Sequence, residues 1–229
     1  MNILMLKGHK KLYIRLAKTG STSLSAAFGK DVVEVTPSIK YEKIYRKHKY
    51  DFRFTFVRNP YDRMVSAYLM TTRSNLAEEH YLAMNKEDIL NISFNEFIRK
   101  VIRLRNMHQE LGIEKKNNIH LRPWKNKRDI SKNKSGYDAY WLLAHTEAMV
   151  DSIEYFTSLE SIDFIGKYET LSEDYARLGR HIQLSRNLEH LNASSSRKKY
   201  AEYYDNESIE LVTQMYKRDL EAFEYQFDA

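Results

Sequence analysis

The stretch KLYIRLAKTGSTSL, residues 11–24, decides the fold of this chain. Its first half alternates apolar and polar residues as a β-strand does, and its second half leads into a run with the pattern of a helix. At such a corner several backbone N–H groups point the same way without a helical partner, and together they can hold an anion. Gly20 allows a close approach of the backbone, hydroxyl side chains follow it, and Lys18 adds a positive charge. The stretch therefore predicts an anion-binding corner between a strand and a helix.

The lysine of this corner precedes its glycine, unlike the lysine in the loops that bind nucleoside triphosphates. Those loops follow the pattern G-x-x-x-x-G-K-[ST], and no glycine stands five residues ahead of a Gly-Lys pair in this chain. A kinase or ATPase function is therefore disfavoured. Serine and threonine are also good N-caps, so this stretch alone is equally compatible with a structural role.

A second strand-to-helix corner is predicted in FTFVRNPYDRMVSAYLM, residues 54–70. Asn59 suits an N-cap, and Pro60 suits the first helical position, where its missing N–H costs nothing. Arg58 stands at the end of the strand, and Ser66 follows Asn59 by two helical turns, on the same face of the helix. A forked guanidinium and a hydroxyl can converge on one phosphate, although the arginines of this stretch could instead pair with acids. Two anion corners in one small sheet favour a ligand with two anionic groups.

The composition describes a single globular domain with a mixed surface. A chain of 229 residues with 42% apolar residues can bury a sizeable core, and its 3 prolines and 7 glycines leave few sites for a linker. One domain over residues 1–229 is therefore predicted. The net charge of +6 comes from 37 basic and 31 acidic residues, an excess that favours an anionic ligand and gives no reason to expect nucleic acid as a partner.

Two features of the composition bear on the setting in which the chain works. It has no cysteine, which excludes disulfides and thiolate chemistry and fits a reducing compartment. No run approaches the roughly 18 apolar residues that a membrane span needs. We therefore expect a soluble, cytoplasmic protein without a membrane span.

Periodicity predicts strands that alternate with helices. Four runs have the pattern of strands: residues 12–16, 32–35, 52–57 and 162–167. Three helices have a recognisable start: a capping box of Ser93 with Glu96, another of Thr170 with Glu173, and Asn206 at the head of a helix that reaches Phe223. Strands separated by helices indicate an α/β fold with a largely parallel sheet. Residues 106–138 lack periodicity and form either an irregular excursion near a site or a surface loop.

Both corners resemble the nucleotide-binding motifs of a known family, the sulfotransferases that use 3′-phosphoadenosine 5′-phosphosulfate (PAPS), and within it the branch of Golgi carbohydrate sulfotransferases. AKTGSTSL is similar to the 5′-phosphosulfate loop of that family, and FVRNPYDRMVSAY is similar, nearly residue for residue, to its 3′-phosphate motif. Four later segments continue the resemblance in order: SFNEF, DFIGKYETLSEDY, HLNASSSRKKYAEYYD and YKRDLEAFEY. It covers most of the chain outside residues 106–138. The resemblance implies a three-layer α/β sandwich with a central, mainly parallel sheet, related to the P-loop nucleotide kinases.

The resemblance also implies roles for individual residues. Lys18 would contact the bridging oxygen of the phosphosulfate, while Arg58 and Ser66 would hold the 3′-phosphate. The 5′-phosphate would be held by a run of small and hydroxylated residues: Thr19, Gly20, Ser21, Thr22 and Ser23. A late hydroxyl-rich loop would close over the nucleotide with Ser195, Arg197 and Lys198. The implied cofactor is PAPS, its product is adenosine 3′,5′-bisphosphate, and no metal is implied.

Transfer to a hydroxyl acceptor needs a general base, normally a histidine or a carboxylate. Relatives with a base between the two motifs use a His or a Glu, and this chain offers Glu34, Glu42 and His48 there. Glu34 lies in a predicted strand, although it follows Lys18 more closely than in relatives. His120, in HLRPW, is similar to a His-x-x-Pro element of the carbohydrate branch. Glu34 and His120 are therefore the leading candidates for the base.

The resemblance favours a carbohydrate acceptor, which can itself be anionic, with a tyrosyl peptide as the main alternative. The absence of an apolar span suggests a cytosolic member of bacterial or phage type. A non-catalytic nucleotide-binding protein of the same fold is a further alternative, because a missing base would leave the cofactor pocket intact. A nucleic-acid-binding module is disfavoured, since the basic residues are dispersed and form no basic helix. Nothing in the sequence indicates the oligomeric state.

Overall fold

The computed structural model describes residues 2–6, 10–29, 32–35, 50–73, 91–110, 142–184, 186–188 and 198–228. The chain divides into two compact units. The first unit comprises residues 1–59 and 149–197, and the second comprises residues 60–148 and 198–229. The single domain expected over residues 1–229 stays a prediction.

Among its described residues, the first unit is built on a five-stranded sheet. Its strands are β1 (Asn2–Leu6), β2 (Lys11–Arg15), β3 (Val32–Val35), β4 (Phe52–Val57) and β5 (Phe164–Lys167). The spatial order is β3-β1-β2-β4-β5. Strands β2, β4 and β5 are parallel, whereas β1 is antiparallel to both of its neighbours. The predicted α/β fold with a parallel core is therefore confirmed.

Strand β1 was missed by the sequence analysis, because five residues read NILML and show no alternation. The predicted strands at residues 32–35 and 52–57 are present with the expected bounds. Strand β2 ends at Arg15, one residue early, since Leu16 already belongs to the corner. Strand β5 begins at Phe164 because a 3₁₀ turn occupies residues 159–161 just before it.

Beside a helical stretch at residues 142–146, the described part of the chain has seven further α-helices. They are α1 (Ser21–Phe28), α2 (Pro60–Arg73), α3 (Phe94–Glu110), α4 (Met149–Glu154), α5 (Leu171–Leu178), α6 (Asn206–Met215) and α7 (Lys217–Phe223). A 3₁₀ helix at Tyr200–Tyr203 precedes α6. Helices α1, α4 and α5 belong to the first unit, and the remaining helices belong to the second.

The core of the first unit is aromatic. The Tyr13 ring of β2 stacks on the Phe54 ring of β4, with 5.1 Å between ring centroids, and Phe28 of α1 meets both rings edge-on. Leu171 and Tyr175 bring α5 into the same buried cluster. Burying these large side chains fixes α1 and α5 against the sheet, and so it fixes where α1 begins.

The core of the second unit is formed by α2, α3 and the helices near the C-terminus. Val65, Phe97 and Val212 are fully buried in it. The predicted capping box at Ser93 is confirmed, because the Glu96 N–H donates to the Ser93 hydroxyl oxygen at 3.3 Å. In return, the Ser93 N–H and hydroxyl each donate to a Glu96 carboxylate oxygen at 2.7 Å. These bonds, led by the one from the Ser93 side chain, hold the pKa of Glu96 below its ordinary value.

The other two predicted helices differ in detail from the structure, although α6 begins at Asn206 as predicted. Helix α5 follows Thr170, but the Thr170 hydroxyl donates to Asp174 at 2.9 Å and Glu173 completes no box with it. Helix α6 is capped by Asp205, whose carboxylate accepts the Ser208 N–H at 2.8 Å. The helix predicted to run on to residue 223 is two helices, broken at Tyr216, where φ is −116° and ψ is 24°.

Candidate anion-binding site

The predicted corner after β2 is present, and its backbone turns through two left-handed residues. Lys18 has a φ of 68° and Gly20 has a φ of 77°. Between them the fully buried Thr19 donates its hydroxyl to the Leu16 carbonyl at 3.1 Å. Helix α1 then begins at Ser21, so its first N–H groups, which have no partner within the helix, face the corner. This arrangement suits an anion.

Position 20 favours glycine. Its φ lies in the left-handed region, and a Cβ there would stand 3.0 Å from Leu171 Cδ2 and 3.1 Å from Tyr168 Cδ2. The close approach packs the corner against the turn that follows β5. A phosphate of PAPS at this corner would meet the backbone N–H groups at the start of α1, which suits an anion.

The hydroxylated residues after Gly20 differ in their surroundings. The side chains of Ser21 and Ser23 are buried, whereas Thr22 is exposed. Lys18 is half-buried, which leaves part of its side chain in contact with solvent. The structure therefore places the whole predicted 5′ loop, from Lys18 to Ser23, at one strand-to-helix corner.

Arg58 joins the second corner to the first. Arg58 follows β4 and is only 5% exposed. Its Nη1 donates to the Lys18 carbonyl at 3.1 Å. The guanidinium carbon lies 3.9 Å from the centroid of the Tyr168 ring, so the arginine stacks on that ring. The guanidinium thus lies between the Tyr168 ring and the backbone of the first corner.

The turn after β5 supplies two residues that the sequence analysis did not single out, Tyr168 and Glu169. The Tyr168 N–H donates to the Val57 carbonyl at 2.8 Å, and a Glu169 carboxylate oxygen accepts the Asn59 N–H at 2.7 Å. Their position directly after a strand could have identified Tyr168 and Glu169 as site residues, because the carboxyl ends of parallel strands meet at one edge of a sheet. Tyr168 and Glu169 follow β5 directly, as Arg58 and Asn59 follow β4.

Asp174 holds that turn in place. It is almost fully buried, and one of its oxygens accepts both the Lys167 N–H at 2.7 Å and the Thr170 hydroxyl at 2.9 Å. Its other oxygen pairs with the Arg177 guanidinium. A buried carboxylate with this many donors rigidifies the segment it binds, here the turn that carries Tyr168.

The remaining predicted site residues are placed less completely. Ser66 lies in α2, half-buried and in the second unit, so its sharing of one phosphate with Arg58 stays a prediction. Lys198 is exposed. The other candidates lie outside the described residues: Glu42, His48, His120, Ser195 and Arg197.

Glu34 lies in β3, one strand away from β2. Leu4 of β1 stands opposite Glu34 on one side and opposite Tyr13 on the other. Because adjacent strands are about 4.8 Å apart, the backbone of Glu34 is roughly 10 Å from that of Tyr13. The register therefore places Glu34 level with the middle of β2, and its role as a base stays a prediction.

Within the described ranges, no group of three or more histidine and carboxylate side chains comes together in a way that could hold a metal ion. No helix in the same ranges combines the length and hydropathy of a membrane-crossing segment.

Comparison with known proteins gives the family. Residues 1–226 match the profile of the sulfotransferase family, whereas no curated protein and no solved structure is significantly similar to the chain. The matched region includes both corners and the turn after β5. The carbohydrate branch, which is consistent with this match, stays a prediction. Matched over nearly all of its residues, the chain belongs to the sulfotransferase family and is a PAPS-dependent sulfotransferase.

Proposed function

We propose that the chain transfers a sulfuryl group from PAPS to a hydroxyl of a carbohydrate acceptor and releases adenosine 3′,5′-bisphosphate. One observation carries the donor side of this proposal: the buried Arg58 donates to the backbone of Lys18 in the corner after β2. A helix N-terminus and a buried arginine this close suit a nucleotide with one anionic group at its 5′ end and another at its 3′ end.

On the donor side, we assign the 5′-phosphate to the corner and the 3′-phosphate to the arginine. The backbone N–H groups from Thr19 to Ser23 and the hydroxyls of Ser21, Thr22 and Ser23 hold the first, and Arg58 with Ser66 holds the second. The late loop closes over the nucleotide through Ser195, Arg197 and Lys198. When bound, PAPS supplies an activated sulfuryl group, and the chain supplies placement and charge.

Sulfuryl transfer, like phosphoryl transfer, needs in-line placement and neutralisation of the charge that grows on the leaving oxygen. Lys18 suits that task, because its ammonium group is mobile and its backbone is fixed beside the N-terminus of α1. A proton must also leave the acceptor hydroxyl, and we assign that step to Glu34 or His120.

The acceptor is proposed to be a carbohydrate because the two motifs resemble those of the carbohydrate branch. The excess of 37 basic over 31 acidic residues is compatible with an acidic glycan. A tyrosyl peptide is the main alternative acceptor. A cytoplasmic location is part of the same proposal.

Binding of adenosine 3′,5′-bisphosphate tests the donor side first. We expect micromolar affinity or better by calorimetry and a higher melting temperature, because a ligand at 100 times its Kd stabilises the folded state by about 2.7 kcal/mol. Adenosine, which has neither phosphate, is the matched control and should give neither effect. A wild-type protein that showed no heat and no thermal shift with the bisphosphate would contradict the cofactor assignment.

Transfer of radiolabelled sulfate from PAPS then tests the acceptor. The protein is incubated with a panel of neutral and acidic oligosaccharides and, in parallel, with tyrosine-containing peptides. Label on an oligosaccharide alone supports the proposal, and label on a peptide alone assigns the alternative acceptor. Tight binding of the bisphosphate without transfer to any acceptor would point to a non-catalytic nucleotide-binding protein.

A further inference from the structure

We infer that Arg58 is a positioning residue for Lys18: it fixes the backbone of the 5′ corner and does not serve the 3′-phosphate alone. The function of Lys18 in this inference rests on the proposed sulfuryl transfer. The hydrogen bond from Arg58 to the Lys18 carbonyl links the two predicted phosphate sites.

The backbone of Lys18 has a left-handed conformation. Its φ of 68° is unfavourable for a residue with a Cβ, and such a conformation persists only where the surroundings impose it. The carbonyl of Lys18 accepts a hydrogen bond of 3.1 Å from Arg58 Nη1. A bond from a charged donor is among the stronger ones in a protein, and burial of Arg58 strengthens it further.

Arg58 is itself held in place by its contact with Tyr168. Its guanidinium stacks on the Tyr168 ring at 3.9 Å, which leaves the plane of the fork with one preferred orientation. The N–H of Tyr168 donates to the Val57 carbonyl, so the backbone of Tyr168 is bonded to the last residue of β4, directly before Arg58. Tyr168 also packs against Gly20, where a Cβ would meet its ring at 3.1 Å. Ring, guanidinium and corner therefore form one contiguous packed group.

The two possible roles of Arg58 have different consequences for nucleotide binding. If Arg58 bound only a 3′-phosphate, removing it would leave unchanged the affinity for a nucleotide that lacks this group. If Arg58 also holds the corner, removing it weakens the binding of a nucleotide that has only a 5′-phosphate. The two roles therefore separate in one measurement with adenosine 5′-monophosphate, which carries no 3′-phosphate.

The experiment compares the wild type with Arg58→Ala and with Arg180→Ala, which removes an exposed arginine after α5 in the same unit. We expect Arg58→Ala to weaken the binding of adenosine 5′-monophosphate on the order of tenfold, as for loss of one hydrogen bond from a charged group. The affinity for adenosine 3′,5′-bisphosphate should fall further, since a contact with the 3′-phosphate is lost as well. Arg180→Ala should change neither affinity. An unchanged affinity of Arg58→Ala for the monophosphate would overturn the inference.

A second measurement needs no ligand, and it stands if the proposed function fails. Amide hydrogen exchange of the peptide spanning residues 16–24 should be faster in Arg58→Ala than in the wild type and unchanged in Arg180→Ala. Equal exchange in all three proteins would overturn the inference even if nucleotide binding were normal. A wild type that binds neither nucleotide refutes the proposed function, and exchange still decides the positioning role.

Tyr168 provides variants that leave Arg58 in place, in case Arg58→Ala does not fold. Tyr168→Phe keeps the ring under the guanidinium, whereas Tyr168→Leu removes it. We expect faster exchange at residues 16–24 and weaker binding of adenosine 5′-monophosphate in Tyr168→Leu, with both properties near the wild type in Tyr168→Phe. Indistinguishable behaviour of these two variants would contradict the role of the stacked ring.

Discussion

Single residues at the corner after β2 carry much of the proposed chemistry. Lys18 combines a left-handed backbone with a half-buried side chain, and it lies shortly before the N-terminus of α1. A positive charge that meets a growing negative charge lowers the barrier more than it improves binding of the ground state. Lys18 should therefore matter more for turnover than for affinity.

Lys18→Met, which keeps most of the length of the side chain and removes its charge, tests this point. Turnover should fall by about 10²- to 10³-fold, as when one oxyanion donor is removed, while the affinity for adenosine 3′,5′-bisphosphate changes little. Steady-state kinetics and calorimetry give the two values. Lys217→Met, at an exposed lysine of α7, is the control and should alter neither. Loss of nucleotide affinity with turnover intact would reverse the assignment.

Gly20→Ala should damage both stability and binding. A Cβ in the left-handed region costs about 1–2 kcal/mol, and the contacts with Leu171 and Tyr168 add to that cost. Gly29→Ala is a matched control, because Gly29 has a φ of 59° at the other end of α1, where the nearest atoms belong to the Arg186 side chain. Both variants should melt earlier in denaturation, but only Gly20→Ala should lose affinity for the bisphosphate. Equal affinities would contradict the role of the corner.

Substitution by phenylalanine should affect the free energy of unfolding differently at two buried tyrosines, Tyr13 and Tyr216. The Tyr13 hydroxyl is buried without a hydrogen-bond partner among the described residues, and burial raises its pKa. The Tyr216 hydroxyl donates to the Thr146 carbonyl. Tyr216→Phe should therefore cost about 0.5–1.5 kcal/mol, whereas Tyr13→Phe should leave the free energy of unfolding equal or higher. Urea denaturation of both variants measures this. A loss at Tyr13 as large as at Tyr216 would contradict the account.

At the scale of elements, helix α6 depends on its cap. The Asp205 carboxylate accepts the N–H and the hydroxyl of Ser208 and the amide of Asn95. These bonds, led by the one from the Ser208 backbone, lower the pKa of Asp205 from 3.8 to about 2. The cap thereby joins α6 to the first turn of α3, where Asn95 lies.

Because the pKa of Asp205 is lower in the folded state, its contribution to stability is complete above about pH 4. It is lost as the pH falls from about 4 towards 2. Asp205→Ala should therefore lower the melting temperature at pH 7, and its difference from the wild type should shrink towards pH 2. Asp228→Ala, at an exposed carboxylate near the C-terminus, is the control. A difference independent of pH would show that the charge of Asp205 does not contribute.

At the scale of the whole molecule, the acceptor side of the reaction depends on residues far apart in the chain. Glu34→Gln keeps size and hydrogen bonding but cannot take a proton. If Glu34 is the base, turnover should fall by about 10²- to 10⁴-fold with cofactor affinity near the wild type. If His120 is the base, His120→Ala should show that fall instead. The wild type should then lose activity on the acid side, where histidines take up a proton.

Turnover across pH with one accepted acceptor distinguishes the two candidates. An acid-side loss in the wild type that disappears in His120→Ala assigns the histidine, and a large fall in Glu34→Gln alone assigns the glutamate. Near-wild-type turnover in both variants would remove both assignments and leave Glu42, His48 or solvent to take the proton. The assignment of the donor side would stand in any of these cases.

The sequence by itself determined the local structures whose requirements lie within a few residues. The strand at residues 52–57, the corner with Gly20, the helix start at Pro60 and the capping box at Ser93 are all present as predicted. Each depends on backbone geometry that neighbouring residues impose: a positive φ, a missing N–H or a side chain that reaches its own helix. The same motifs were sufficient to indicate the family.

Only the tertiary structure decided which of these local features meet. The Asn59 N–H bonds to Glu169, 110 residues further along the chain, and Arg58 stacks on Tyr168 at the same separation. The insertion of β1 between β2 and β3 likewise depends on pairing with both neighbours rather than on any alternation of its own. No spacing in the sequence encodes such contacts, because they follow from the order in which parallel strands assemble and from the burial of side chains between them.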